Sequence, residues 1–382
     1  MEDKMVIIVG AGPAGIATSA CLNRLSIPNQ LIEKEDCSAF SWKKKCYDRM
    51  HLKLPKYICQ LPYMPFPKQV PTYVPKEQFI QYMDEYVEKF QVKPLYNRSA
   101  ESAKFDGKWH VKVKNITSDQ VDVYSAKFLV IATGANCDKY LPEIDGVQSF
   151  SGQLLHSSEY KSGEVYRDKS VLVVGCGNSG MEIALDLANF GAKTSLVVRN
   201  PMHILNKEIV HIALILSKYL PLSWLDAVIV FLCKAMFGDT AKYGIVRPKE
   251  GPFSNKVKYG IGRFPVIDVG TFDKIRSGEI QVTPAIQTIC GNAVNFANGK
   301  THQFDVIVFA TGFTPSFNKW LENNEGSLVE DGILKKKNNW KQENCMYMVG
   351  AEAKGVGQYS PTSLPGIAMD AQKVADDIKD LI

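Results

Sequence analysis

Apolar runs and glycine turns follow one another twice along this chain, in the same order. Residues 5–9, MVIIV, are apolar throughout, the pattern of a strand buried on both faces of a parallel sheet. GAGPAG follows at once (Gly10, Ala11, Gly12, Pro13, Ala14, Gly15). Then come IATSACLNRL, with helical periodicity, and LIEKE, a short strand ending at Glu33. The second copy starts at SVLVV and passes through Gly175, Cys176, Gly177, Asn178, Ser179 and Gly180. It continues into a helical pattern and then a strand that ends at Arg199. Two further apolar strands, FLVIATGAN (128–136) and DVIVFATGF (305–313), each run into Ala-Thr-Gly, with Thr133–Gly134 in the first and Thr311–Gly312 in the second.

Strand, G-x-G-x-x-G, helix and strand together form a dinucleotide-binding unit. The first glycine makes a tight turn, the second lets the backbone approach a diphosphate, and the third lets helix and strand pack closely. The diphosphate would rest on the helix N-terminus. Glu33 lies 18 residues past Gly15, where an acid holds the two hydroxyls of a ribose. Arg199 lies 19 residues past Gly180, and its charge is opposite. A carboxylate repels a ribose 2′-phosphate and a guanidinium pairs with one, so the expected cofactors are FAD at the first unit and NADPH at the second. Lys193 and Arg247 are the next cations that could read that phosphate.

The expected fold is therefore α/β, with two Rossmann-like dinucleotide-binding domains, the second inserted into a discontinuous first. The Ala-Thr-Gly strands return the chain between them, each glycine letting the crossing backbone pass close to a neighbour or cofactor. The predicted bounds are 1–147 and 285–382 for the FAD domain and 152–283 for the NADPH domain. DGVQSF and PAIQTIC would be the linkers.

Composition narrows the function classes. With 382 residues, two domains are expected; 45% hydrophobic and 22% charged residues are ordinary for globular protein. A net charge of +5 over that length gives no concentrated basic face for nucleic acid. The nine cysteines contain no C-x-x-C or C-x-x-x-x-C pair, which argues against metal clusters and a flavin-linked redox disulfide and for reduced thiols inside a cell. The strand pattern begins too early to leave room for a signal peptide, so a cytoplasmic protein is expected. Ile209 to Phe237 is the most hydrophobic stretch, but Lys218, Pro221, Asp226 and Lys234 interrupt it. A span needs about 20 mostly apolar residues, so the expectation is two helices around Pro221 and no membrane span. Peripheral contact with a membrane such as the endoplasmic reticulum stays open.

The first predicted linker contains FSGQLLHSSEY, in which Phe150, Gly152, His156 and Tyr160 match F-x-G-x-x-x-H-x-x-x-W/Y. This segment resembles the identifying motif of class B flavin monooxygenases. The resemblance spans the whole chain and is closest to the plant YUCCA group, through WKKKCYDRMHLKLPKYICQLPYMPFP, VLVVGCGNSGMEIALDL, YGIVRPKEGP, PVIDVGTFDKIRSGEI, FATGF with Trp320 and Leu321, and GIAMDAQKVADDI. It implies an FAD- and NADPH-dependent enzyme of auxin biosynthesis that converts indole-3-pyruvate, with O₂, to indole-3-acetic acid through a flavin C4a-peroxy species. The hard chemistry would then be flavin-borne, with no acid–base triad to find. Trp42 is expected beside the flavin, and Arg49 and Lys56 are candidates for steering an α-keto carboxylate, with Lys53 a third cation near them. His156 is expected to be structural first. Two departures stand out: Ala135 occupies a position where the group commonly has Glu, and Lys53 one where related enzymes place Asn. An S- or N-oxygenating or Baeyer–Villiger enzyme acting on another small metabolite is the alternative. An NADPH oxidase that only makes peroxide, and a nucleotide-sensing protein without turnover, are the more distant ones.

Overall fold

A computed structural model of the chain describes residues 2–259, 265–322, 329–330, 333–334, 340–351 and 360–382. The chain divides into two compact units. Unit 1 comprises residues 1–45, 54–138 and 313–382; unit 2 comprises 46–53 and 139–312.

The central sheet of unit 1 contains β1 (Glu2–Val9), β2 (Asn29–Ile32), β3 (Pro94–Leu95), β4 (Arg98–Phe105), β5 (Trp109–Asn115) and β6 (Val121–Ile131), in the order β3-β2-β1-β6-β5-β4. β1 pairs in parallel with β2 and β6, and strand Met346–Met348 pairs in parallel with β6. Val6 to Val9 are buried throughout, as an unalternating apolar run requires. β5 pairs antiparallel with β6 and β4 antiparallel with β5, and along β5 the side chains alternate, with Trp109, Val111 and Val113 inward. Helix α1 (Pro13–Arg24) has Pro13 in its first turn, where a missing N–H costs nothing, and it packs against the last helix, Leu364–Asp380. Helix α2 (Lys76–Lys89) buries Phe79, Tyr82, Met83 and Tyr86, a stripe at i, i+3, i+4 and i+7.

Unit 2 is built on a wholly parallel sheet of β7 (Gln153–His156), β8 (Ser170–Val174), β9 (Lys193–Val197), β10 (Ile280–Thr283) and β11 (Val306–Phe309), in the order β10-β9-β8-β11-β7. Helix α3 (Asn178–Asn189) connects β8 to β9. Helices Lys207–Leu216 and Leu222–Phe237 lie on either side of Pro221, as the interrupted hydropathy predicts.

The observed bounds differ from the predicted ones in three places, the first being residues 139–147, which belong to unit 2 and not to the first segment of unit 1. Residues 285–312 belong to unit 2 because β11, fully buried, pairs with β7 and β8. PAIQTIC is accordingly the first strand of a small antiparallel sheet (286–303) whose Val294 and Phe296 pack with Phe150, Leu172 and Ile307. Cys46–Lys53 also belongs to unit 2, although no local pattern in that octapeptide marks it off from its neighbours.

Candidate functional site

The two glycine turns repeat one geometry. Gly10 and Gly175 have φ of +108° and +109°, and a Cβ on either would approach a crossing carbonyl, that of Ala132 at 2.7 Å or that of Ala310 at 2.5 Å. A side chain is excluded there by both backbone conformation and space. At Gly15 and Gly180 a Cβ would overlap the carbonyl oxygen of Gly10 and Gly175 respectively, so these glycines serve helix–strand packing. Gly12 and Gly177 are different. Each is the N-cap of a twelve-residue helix, α1 or α3, and a Cβ there meets no atom of the described residues within 4 Å. Packing does not require glycine at these two positions. They border the space in front of a helix N-terminus, where free N–H groups and the helix dipole favour an anion.

In unit 1 this space opens into a cleft of about 520 Å³ that reaches Gly10, Gly12, Glu33, Trp42, Thr133 and Gly134. That volume is in the range of cofactor pockets, roughly 300–1,000 Å³. Pro13 and Ala14 complete the rim of the turn. Glu33 accepts from the N–H of Ala11 through Oε2 (2.5 Å) and from the N–H of Glu35 through Oε1 (3.0 Å), which fixes its carboxylate at the mouth of the turn. Burial pushes its carboxyl above the usual range while the two backbone N–H groups oppose that rise. Thr133 Oγ1 is a buried hydroxyl with no partner among the described residues, beside the same cleft. Trp42 sits on a single π-helical turn, Ser41–Lys45, its ring held 4.3 Å from that of Phe79 on α2.

In unit 2, Asn178 is held through its side-chain oxygen, which accepts from the N–H of Ile267 (2.9 Å). Arg199 follows β9, exposed, with no acidic partner among the described residues, and near enough to oppose the rise that burial imposes on the Cys176 thiol. Of the other two cations, Lys193 opens β9 at its opposite end. Arg247 donates to the carbonyl of Gly238 at 2.7 Å.

The motif at 150–160 is used inside unit 2. Phe150 lies in the core, and a Cβ on Gly152 would overlap the carbonyl of Asp305. His156 is buried; its Nδ1 accepts from the N–H of Ser158 (3.2 Å), which leaves Nε2 to donate to the carbonyl of Gly312 (3.0 Å). The tautomer is assigned from these partners. His156 thus fastens the linker to the second Ala-Thr-Gly crossing, where Thr311 also donates, to the carbonyl of Tyr140 (2.5 Å). Tyr160 is fully buried and donates to Asp186 on α3 (2.7 Å).

The three cations expected near an α-keto carboxylate are engaged elsewhere. Lys56 Nζ donates to the carbonyls of Pro67 (3.0 Å), Lys68 (2.9 Å) and Val70 (2.5 Å), closing the loop that follows it. Arg49 lies 3.7 Å from Asp186, and Lys53, largely buried, is ion-paired with Glu182. Each is thus committed to a partner within its own unit. The short helix and loops from Lys56 onward offer backbone carbonyls that an ammonium satisfies, and α3 offers two buried acids that need counter-charges. Those acids were missed by sequence reasoning, together with Tyr47, whose hydroxyl donates to Glu182 (2.5 Å) and bonds to Ser179 of the glycine turn. A trace of this was legible in two acids at i, i+4 on a helix otherwise apolar at its buried positions.

The chain matches the flavin-binding monooxygenase-like family over residues 3–341. It is 47% identical over 386 residues to a protein of Arabidopsis thaliana named "Probable indole-3-pyruvate monooxygenase YUCCA10", with 100% of this chain and 98% of that one covered. To "Indole-3-pyruvate monooxygenase YUCCA4" of Oryza sativa subsp. japonica it is 41% identical, with 98% and 88% covered. In fold it is similar to a flavin-containing monooxygenase from Stenotrophomonas maltophilia (TM-score 0.74, 17% identity, 100% and 99% covered). It is similar also to OTEMO in complex with FAD and NADP (TM-score 0.76, 15% identity, 99% and 86% covered). The doubly repeated cradle and the full-length relatives lead to one assignment: the chain belongs to the flavin-binding monooxygenase-like family and, within it, to the YUCCA group.

Proposed function

We propose that this flavin-dependent monooxygenase uses FAD, NADPH and O₂ to decarboxylate indole-3-pyruvate oxidatively, giving indole-3-acetic acid. The observation that carries the cofactor assignment is the asymmetry between two otherwise matching cradles, with an inward-held carboxylate at one and, at the other, an exposed guanidinium with no acidic partner among the described residues. In unit 1 the α1 N-terminus and Gly12 take the diphosphate of FAD, Glu33 accepts from the adenosine ribose, and Thr133 supplies its hydroxyl. Trp42 closes the cleft as an apolar wall. In unit 2, Gly177 and the α3 N-terminus take the diphosphate of NADPH, and Arg199 pairs with the 2′-phosphate. When bound, the flavin supplies oxygen activation after reduction by NADPH; the protein's share is binding, orientation and exclusion of water.

The substrate assignment rests on the activity for which the relatives that match over the whole chain are named, not on Arg49, Lys53 or Lys56. Incubation of the holoenzyme with NADPH, ¹⁸O₂ and indole-3-pyruvate should give indole-3-acetic acid carrying one labelled oxygen, detected by mass spectrometry. Ready oxygenation of a thioether or amine, with no labelled acid, would move the protein to the alternative chemistry.

A further inference from the structure

Helices Lys207–Leu216 and Leu222–Phe237 of unit 2 pack on each other and are apolar on both faces. The inner face buries Ile209, Val210, Ala213, Leu225, Ile229 and Cys233. The outer face carries Ile212 and Ile215 at i and i+3, Tyr219 in the turn that follows, and Trp224 and Phe231 at i and i+7. Tyr219 is 77% exposed, and Trp224 and Phe231 are each 69% exposed. Single exposed apolar residues are ordinary, but two adjacent helical stripes and the turn between them, with three large aromatics, form a surface made to be covered.

Charge selects the cover. Between Lys207 and Phe237 the charged side chains are Lys207, Lys218 and Lys234 against Glu208 and Asp226. Asp226 is turned inward, its carboxylate accepting from the N–H of Phe253 and of Ser254, both at 2.9 Å. Lys218 and Lys234 are exposed, and neither forms an ion pair among the described residues. A second copy docked about a two-fold axis would bring the same lysines together. A sheet of anionic headgroups would answer them, and aromatic and lysine side chains are the residues that settle at such a boundary. The longer helix has 16 residues, about 24 Å at 1.5 Å per residue, short of the roughly 30 Å of a hydrocarbon core. No helix among the described residues is long and apolar enough to cross a membrane.

We propose that the exposed face of the Lys207–Phe237 helix pair lies in the plane of an anionic lipid bilayer surface, with Trp224 and Phe231 inserted and Lys218 and Lys234 at the headgroups. The test is co-sedimentation of the full-length flavoprotein with phosphatidylcholine vesicles, with and without phosphatidylserine. Binding should require phosphatidylserine and weaken as salt rises. Trp224→Gln with Phe231→Gln should lower the partition coefficient roughly tenfold or more, at unchanged flavin content and turnover in solution. Lys218→Gln with Lys234→Gln should weaken binding to the anionic vesicles. No binding to either vesicle, equal binding to both, or binding unaffected by the aromatic substitutions overturns the proposal. So does a dimer that the aromatic substitutions dissociate in the absence of vesicle binding, which would give the face to a second copy.

Discussion

Gly12 and Gly15 are three residues apart, yet their substitution should fail in different ways. A side chain at Gly12 enters open space in front of α1, so Gly12→Val should give folded, colourless protein with a circular dichroism spectrum like that of the wild type. At Gly15 even a methyl overlaps the Gly10 carbonyl, so Gly15→Ala should lose the fold along with the flavin. A yellow, fully flavinylated Gly12→Val variant would falsify the cofactor assignment. Arg199→Ala should cut the preference for NADPH over NADH in flavin-reduction rate by about ten- to hundredfold, since a hydrogen bond to a charged group contributes roughly 1.5–3 kcal/mol. A pH effect belongs to Asp370 in the last helix, whose carboxyl burial raises to about 6, against weak relief from Lys373 at 3.8 Å. The folded state holds this proton where the unfolded chain has released it, so the group costs stability progressively from about pH 4 to 6 and fully above that. Asp370→Asn should therefore raise stability at pH 7 by on the order of 1–2 kcal/mol, a gain that denaturant titration should find absent below pH 4.

At the scale of elements, α3 is the helix on which most depends. It presents Gly177 to the cradle and, one turn and two turns on, buries Glu182 and Asp186 against Tyr47, Lys53, Arg49 and Tyr160. Glu182→Leu strands the Lys53 ammonium in a site where burial already lowers its pKa, and should destabilise unit 2 by about 3–5 kcal/mol. Lys53→Met added to Glu182→Leu should recover most of that loss, because the pair goes as a unit; a thermal-melt double-mutant cycle reads the coupling. The sequence displayed the strand–turn–helix–strand units fully, because their logic is local: period, glycine spacing and a terminal charge. It could not display the α3 network, because Tyr47, Arg49 and Lys53 lie more than a hundred residues from their acids and obey no period. Lys53, Arg49 and Lys56 looked like substrate-facing charges because a loop cation carries no local mark of its partner. The 285 boundary was missed for a related reason, since a short strand edging an antiparallel sheet has the composition of a linker.

For the whole molecule, ligand linkage offers a direct check on two separate sites. FAD at 100 times its dissociation constant should stabilise the apoprotein by about 2.7 kcal/mol, and NADP⁺ should add its own increment, each visible as a rise in melting temperature. The composition of unit 2 has a further consequence. This unit is not one stretch of sequence: it is 139–312 together with the eight residues Cys46–Lys53. A gene fragment cut at 139 and 312 would encode Glu182 and Asp186 but not Tyr47, Arg49 or Lys53. Recombination between relatives at those cuts would pair one parent's acids with the other parent's cations. The heritable module is thus discontinuous, and positions 53 and 182 should change together across lineages, so chimeras that carry the octapeptide with its helix should survive where simple exchanges do not.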